Sequence, residues 1–511
     1  MSVDKLRGSK HINRIAPSDI GLLMSAQSYR PEITQAIRKI KSLNWSSLQE
    51  VVANTISPGP HPKYGGSYPC LKTKNVDGLL ATHEPADYAD SSVFKDLNKV
   101  TVKEGDLLIN LTGAGSIGRV SVYYGKDKPI TNQHIARMSV KTGTDEGYLA
   151  CFLRSWWGER ALEQGVAGST GQINIVNEHV RSIPVYLPDA TAQKYIGDKV
   201  RQAEQLRAWA KRLRASVDDK LNSLNLPINE PPQLLNRVSV QTMEDRLDPR
   251  PYRSHYLHLV NEIEKLPHDS ISSVVGLASG CPVSSKDFLE NAGIPLVRIR
   301  NIGFDDFIGL DTGVSKDVYQ DASKYQAKEK MVVVGMDGIF RSQFFVADEL
   351  PMLVNQRVAM LVPQKIRGEL LTHWLNRPEG QMQLNQWAVK TTVEHTSLSD
   401  IGRVLIPRLN ENLENKLADD LLNARLAFRY AKFLTQTAKA LVEALIEGQL
   451  TEQQLIQAQQ ALEDCDNSLD QAILSKLSNE GFAIDGATPL FSDLDELYRL
   501  LESAAQTEVE E

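Results

Sequence analysis

The sequence predicts an α+β protein: two similar domains separated by two long antiparallel coiled-coil helices, a pseudo-twofold internal repeat, and a C-terminal helical tail. Three observations carry this. An uninterrupted amphipathic stretch lies in mid-chain, a second of the same rhythm follows about 220 residues later, and a series of short motifs recurs in the same order ahead of each.

The first stretch runs from Ala190 to Leu226. Its apolar residues are Ile196, Val200, Ala203, Leu206, Ala210, Leu213, Val217, Leu221 and Leu224, in steps of three or four, so one side of a helix is apolar throughout. Neither Pro nor Gly interrupts it after Asp198. Some 35 residues at about 1.5 Å rise make a rod on the order of 50 Å long. A rod with one apolar stripe needs a partner in water. Leu413 to Ile446 supplies one, with Leu413, Leu417, Leu421, Ala424, Phe428, Ala431, Leu434, Ala438, Leu441 and Leu445. Antiparallel pairing would bury both stripes. Trp209 is read as lying off the first stripe, at its flank.

The domains read as α+β because short β-like runs broken by Gly, Pro, Asn and Asp dominate residues 50–188, with a single helix expected over Glu146–Gln164. The same order returns later. WSSLQEVV at Trp45–Val52 matches HDSISSVV at His268–Val275, and YPCLKTKNV at Tyr68–Val76 matches IPLVRIRNI at Ile294–Ile302. EGDLLINLTGAGSIGR at Glu104–Arg119 matches EKMVVVGMDGIFR at Glu329–Arg341, and ITNQHIARM at Ile130–Met138 matches MLVNQRVAM at Met352–Met360. Finally IPVYLP at Ile183–Pro188 matches VLIP at Val404–Pro407, each leading into a long helix. The chain therefore divides into a first domain (1–188), a first spacer helix (189–226), a second domain (227–410), a second spacer helix (411–448) and an acidic tail (449–511). The tail is expected to form one helix, a turn at Asp464–Asn467, and further short helices.

Net charge is −7, but residues 451–511 carry 14 acids against Lys476 and Arg499, a balance of −12 that leaves +5 for residues 1–450. A mildly basic body with an acidic tail is compatible with nucleic acid. No apolar run has membrane-spanning length and the first residues lack a signal-peptide core. Cys70, Cys151, Cys281 and Cys465 have no metal-ligand or redox spacing, the pattern of reduced thiols in a cytoplasmic protein.

The GDLLINLTGAGSIGR stretch, the Asn132-Gln133 strand, the GSTGQINIV loop ahead of VRSIPVYLP and the long helix after it resemble the specificity (S) subunit of type I restriction–modification systems. The resemblance covers about residues 30–448, and its duplicated plan is the specific part. It implies two target-recognition domains, each reading half of a bipartite double-stranded DNA site, and paired helices that set the distance between half-sites and dock two methyltransferase subunits. A restriction or translocase subunit would complete the complex. The chain itself would be no enzyme and hold no cofactor; S-adenosylmethionine would be bound by the methyltransferase. The second half departs from the pattern, with KTTVEHTSLSD in place of GSTGQINIVNEH and GMDGIFR in place of LTGAGSIGR.

The residues agree in lacking catalytic motifs. GAGSIG at Gly113–Gly118 has glycines of a phosphate cradle but neither the Lys-Ser/Thr pair nor a following helix, so it reads as a tight turn. Asn-Pro-Pro-aromatic, HExxH and paired-Cys patterns are missing. His134, His179 and His395 read as surface or packing residues, and the Asn132-Gln133 and Asn355-Gln356 pairs as backbone-fixing. DNA reading needs Lys and Arg for phosphates, and Arg, Asn, Gln, Ser and Thr for base edges. Candidates in the first domain are Lys63, Tyr64, Lys72, Lys74, Arg119, Ser169, Thr170 and Gln172. Those in the second are Lys286, Arg298, Arg300, Arg341, Ser342, Gln343, Lys390 and Thr391. Lys72/Lys74 and Arg298/Arg300 alternate along what read as strands, placing each pair on one face. The rival reading is a non-catalytic protein-interaction scaffold of two related domains on a coiled-coil spacer.

Overall fold

The computed structural model describes residues 15–82, 87–90, 100–113, 115–168, 173–244, 246–390 and 392–510. They form two compact units, one of residues 1–206 and 430–511, the other of residues 207–429. Both long helices form, Ala190–Asn222 and Glu411–Glu447, and the boundary between units falls inside each.

In the first unit, Asp106–Asn110 is the central strand of an antiparallel sheet, flanked by Val120–Tyr123 and Ile135–Met138. Leu107, Leu108 and Ile109 are fully buried, as a strand covered on both faces requires. A second sheet pairs Tyr64–Leu71 with Asp87–Ala89 antiparallel and with Ile130–Thr131 parallel. Leu71, Val76, Leu108, Tyr123 and Ile135 join the two in one core. Trp45–Ser47 pairs with Pro184–Tyr186, and Val166–Ala167 with Asn174–Ile175 in a short ribbon.

The second unit repeats these pairings. Val332–Gly335 is central between Ser342–Phe344 and Val358–Pro363, with Val275–Ser279 added at the edge. Ile294–Val297 pairs with Thr312–Val314 antiparallel and with Leu353–Val354 parallel. His268–Ser270 pairs with Leu405–Pro407, and the ribbon is Val389–Lys390 with Glu394–His395.

Several expectations change. The helix over 146–164 is two, Glu146–Arg154 and Trp156–Glu163, because Ser155 is extended and its Oγ accepts from Gly158 N–H at 3.2 Å, capping a new helix. A Cβ on Gly158 would sit 2.1 Å from Phe152 O, so only glycine fits that bend. The second unit breaks likewise at Arg377, where Pro378 opens the next helix and a Cβ on Gly380 would sit 2.2 Å from Trp374 O. Trp209 is buried, 4% exposed; three residues after Leu206, it shares the apolar face. The first long helix stops at Asn222 rather than running to 226.

The tail is no separate domain. It folds as helices Glu452–Glu463 and Ser468–Leu474, a hairpin of Leu477–Ser478 with Gly481–Phe482, and one long helix, Leu494–Glu510, where short helices were expected. It belongs to the first unit because its acids are used there. Glu452 accepts from Tyr186 Oη at 2.7 Å and Asp189 N–H at 2.8 Å. Phe491 packs near Tyr430 and Phe433 of the second long helix, at centroid distances of 6.1 and 5.7 Å.

Candidate nucleic-acid interface

In each unit the fold brings two basic side chains onto one carboxylate. Lys72 and Lys74 reach Asp87 at 3.3 and 2.8 Å. Arg298 and Arg300 reach Asp311, Arg298 at 3.3 Å. Strand alternation is not the reason. The backbone turns here: Asn75 Oδ1 accepts from Lys72 N–H at 2.9 Å, and Asn301 Oδ1 from Arg298 N–H at 2.9 Å. A side chain bonded to nearby backbone competes with the sheet ladder, so each strand ends and a 3-10 turn begins, Thr73–Asn75 and Ile299–Asn301. In the first unit Asn110 Nδ2 donates to Thr73 O at 3.2 Å and Val76 O at 3.0 Å, fixing the turn to the central strand.

The electrostatics follow. The Lys74 ammonium, with Lys72 beside it, holds the Asp87 carboxyl below the usual carboxylate range. Desolvation works upward on Asp311, but the Thr312 hydroxyl and the Arg300 and Arg298 guanidiniums outweigh it and lower it too. Each basic turn is thus partly neutralised by one carboxylate, in ion pairs of the partly exposed kind that contribute little to stability.

Aromatic rings steady several of the cations. Lys72 Nζ lies 4.0 Å from the centre of the Tyr64 ring, Arg298 5.6 Å from that of Phe288, and Arg341 5.0 Å from that of Phe304.

In each unit a turn, a strand corner and the ribbon are tied together. In the first, Thr112 Oγ1 and His134 Nδ1 are 2.8 Å apart and Thr112 bridges to Asn174 of the ribbon. In the second, Asp337 bridges to His395, bonds its Nδ1 at 2.6 Å and faces Arg357 Nε at 3.7 Å. His134 and His395 thus hold loops together. His179 is buried, its Nε2 2.8 Å from Ala161 O. Asn132 Oδ1 accepts from His134 N–H at 3.1 Å, a backbone-fixing role. Residues 115–118 form a turn, with positive φ at Gly113, Gly115 and Gly118.

Among the remaining candidates, Arg119 pairs with Asp77, whose carbonyl also accepts from Arg154 Nη2 at 3.1 Å. Both arginines line a cleft of about 260 Å³ with Glu159, Glu163, Val166 and Ile175. Lys63 and Lys286 are exposed. Lys390 lies on a ribbon strand. Ser169, Thr170, Gln172 and Thr391 lie outside the described residues. Ser342 and Gln343 are corrections: at 0% and 1% exposed they face the interior, and Gln343 Nε2 donates to Phe304 O at 3.1 Å. Gln343 thus holds the loop that carries Phe304, while Ser342 N–H donates to Asn376 Oδ1 at 2.9 Å. Sequence reasoning missed Arg154, Arg357, Asp87 and Asp311. Only Arg357 left a signal, following Asn355-Gln356 as His134 follows Asn132-Gln133.

Among the described residues no group of three or more His, Cys, Asp or Glu is placed to hold a metal ion, and no helix is long and apolar enough to cross a membrane.

The stretch that holds the first basic turn, the Gly turn and the ribbon also matches a known family. Residues 50–217 match the type I restriction modification DNA specificity domain. The match covers about a third of the chain and ends within the first long helix. The S subunit of a type I restriction–modification system from M. genitalium is similar at 12% identity, over 82% of this chain and 96% of that one, with a TM-score of 0.42. The HsdS subunit from Thermoanaerobacter tengcongensis is similar at 15% identity, over 84% and 96%, with a TM-score of 0.25. No curated protein matches. Within the matched stretch lie Lys63, Tyr64, Lys72, Lys74 and Arg119, together with Arg154.

Proposed function

We propose that this chain is the DNA-sequence specificity subunit of a type I restriction–modification complex, or of a related phage-defence complex. It reads a bipartite site in double-stranded DNA, one half with each unit, the halves one to two helical turns apart. Two methyltransferase subunits, which bind S-adenosylmethionine, dock on it and carry out methylation; a restriction or translocase subunit does any cleavage. The chain contributes recognition and no bond-making chemistry of its own.

The observation that carries this reading is the basic turn present in both units. Inside the specificity domain, Lys72 and Lys74 sit on a turn locked by Asn75 and share Asp87; in the second unit Arg298 and Arg300 sit on a turn locked by Asn301 and share Asp311. Two such turns on related frames suit two half-sites of different sequence. Phosphate contacts set register and base contacts set sequence. Arg can grip a guanine edge or phosphate bidentately where Lys acts as a point charge.

The test is single-molecule methylation mapping of DNA from cells carrying this chain with its cognate methyltransferase, before and after exchange of residues 45–188 for those of another specificity subunit. The expected result is a split motif in which only one half changes. Methylation without sequence preference, or a motif unaltered by the exchange, would refute the reading.

A further inference from the structure

Each unit contains an arm of the same construction. A short 3-10 turn, Pro17–Asp19 or Val240–Thr242, opens it, and helix Pro31–Lys41 or Ser254–Glu264 follows. One tyrosine hydroxyl closes each arm. Tyr29 Oη accepts from Gly21 N–H at 2.7 Å and donates to Leu23 O at 2.6 Å. Tyr252 Oη accepts from Glu244 N–H at 2.9 Å and donates to Arg246 O at 2.6 Å. Each residue of the second set stands 223 positions after its counterpart in the first.

Two pairs of outward apolar side chains correspond as well. Ile20 and Met243 occupy equivalent places and are 43% and 39% exposed; Met24 and Leu247 do so and are 87% and 81% exposed. Leaving a large apolar side chain almost wholly in water at one site is ordinary. Doing so twice, at the same position of two loops that each use a tyrosine to hold their shape, is the mark of a contact surface. The hydroxyl bonds fix the loop before binding, which removes part of the ordering cost of association.

We infer that the two arms are equivalent docking knobs for a partner protein present in two copies, each copy receiving one arm in an apolar pocket. This rests on the proposed function and deepens it, because the partner that reading supplies twice is the methyltransferase subunit. Charge favours protein over DNA as the occupant. Residues 17–30 contain one acid and one base, and residues 240–253 three of each, so neither arm has the positive excess a phosphate backbone demands. Methionine, leucine and isoleucine tips are suited to an apolar pocket.

The full chain, co-expressed with its cognate methyltransferase subunit, is weighed in solution by light scattering. The unmodified complex should hold two partner copies, Met24→Asp or Leu247→Asp alone should leave one, and both together none, with the chain's own thermal transition unmoved. Tyr29→Phe with Tyr252→Phe keeps the apolar tips but frees the loops, and should weaken partner binding several-fold. Two partner copies on the doubly charged variant would overturn the inference. So would loss of DNA affinity by that variant alone with the copy number unchanged, which would give the arms to DNA. Unspecific methylation by the unmodified complex would instead refute the specificity reading and leave the copy numbers to judge the arms.

Discussion

Lys199 and Asp470 form an ion pair at 2.7 Å with 1% of each side chain exposed, joining the first long helix to the C-terminal tail. Asp470 also accepts from Tyr195 Oη at 2.5 Å and Tyr498 Oη at 2.6 Å. Burial alone would raise this carboxyl, but the Lys199 ammonium and the hydroxyls hold it below the usual range. Four side chains from three helices thus satisfy one another in the interior, which a buried charge requires.

Asp470→Asn leaves the Lys199 ammonium buried without its counter-charge. Breaking one side of a buried pair costs about 3–5 kcal/mol. The tail should then exchange amide hydrogens faster and become cleavable near Gly448, and adding Lys199→Met should restore part of the loss. Unchanged protection of the tail in Asp470→Asn would show that the pair does not hold it.

Replacing Arg298 and Arg300 by alanine should relax recognition at one half-site and leave the other intact. If both contact phosphate, the slope of log affinity against log salt should fall by roughly 2, at about 0.9 per phosphate. Asp311→Asn should do the opposite to non-specific binding and tighten it, since the competing carboxylate is gone. Titrations over a salt series with specific and scrambled duplexes decide the matter.

His179 gives the first unit a pH dependence. Burial holds its imidazole below the ordinary value of 6.5, against the pull of its bond to Ala161 O. A base with a depressed folded value contributes stability that is present above the unfolded value and is lost as pH falls through the folded one. The melting temperature should therefore drop as pH goes from about 7 to 5, and His179→Gln should flatten that slope. An unaltered slope in the variant would assign the effect to other groups.

Under the spacer reading, seven residues added to both long helices, after Leu206 and after Arg429, should lengthen each by about 10 Å. At about 3.4 Å per base pair the recognised gap should grow by about three base pairs, with both half-sites kept. The insertion in one helix alone would throw its stripe out of step with the cluster of Val217, Leu221, Leu417 and Leu421 and lower stability. Methylation mapping of the matched variant that returns the original gap would discard the spacer.

What the sequence determined by itself was local or repeated. Three- and four-residue spacing marked both long helices, and Val200, Ala203, Leu206, Ala210, Val217 and Leu221 are buried as that spacing requires. The recurring motifs marked equivalent strands and turns, because a strand's burial and a turn's asparagine act within a few residues. Tertiary structure alone decided the rest. Asp87 and Asp311 become partners of the basic turns only when a second strand folds alongside, and Asp470 meets Lys199 across 271 positions of chain. Ser342 and Gln343 look like surface polar residues until the sheet closes over them. Nor does periodicity carry the tyrosine-closed arms, whose likeness lies in two backbone bonds to one hydroxyl. Local geometry is set by each residue's own torsions and near neighbours, whereas charge pairing and burial depend on which distant segments the fold brings within a few ångströms.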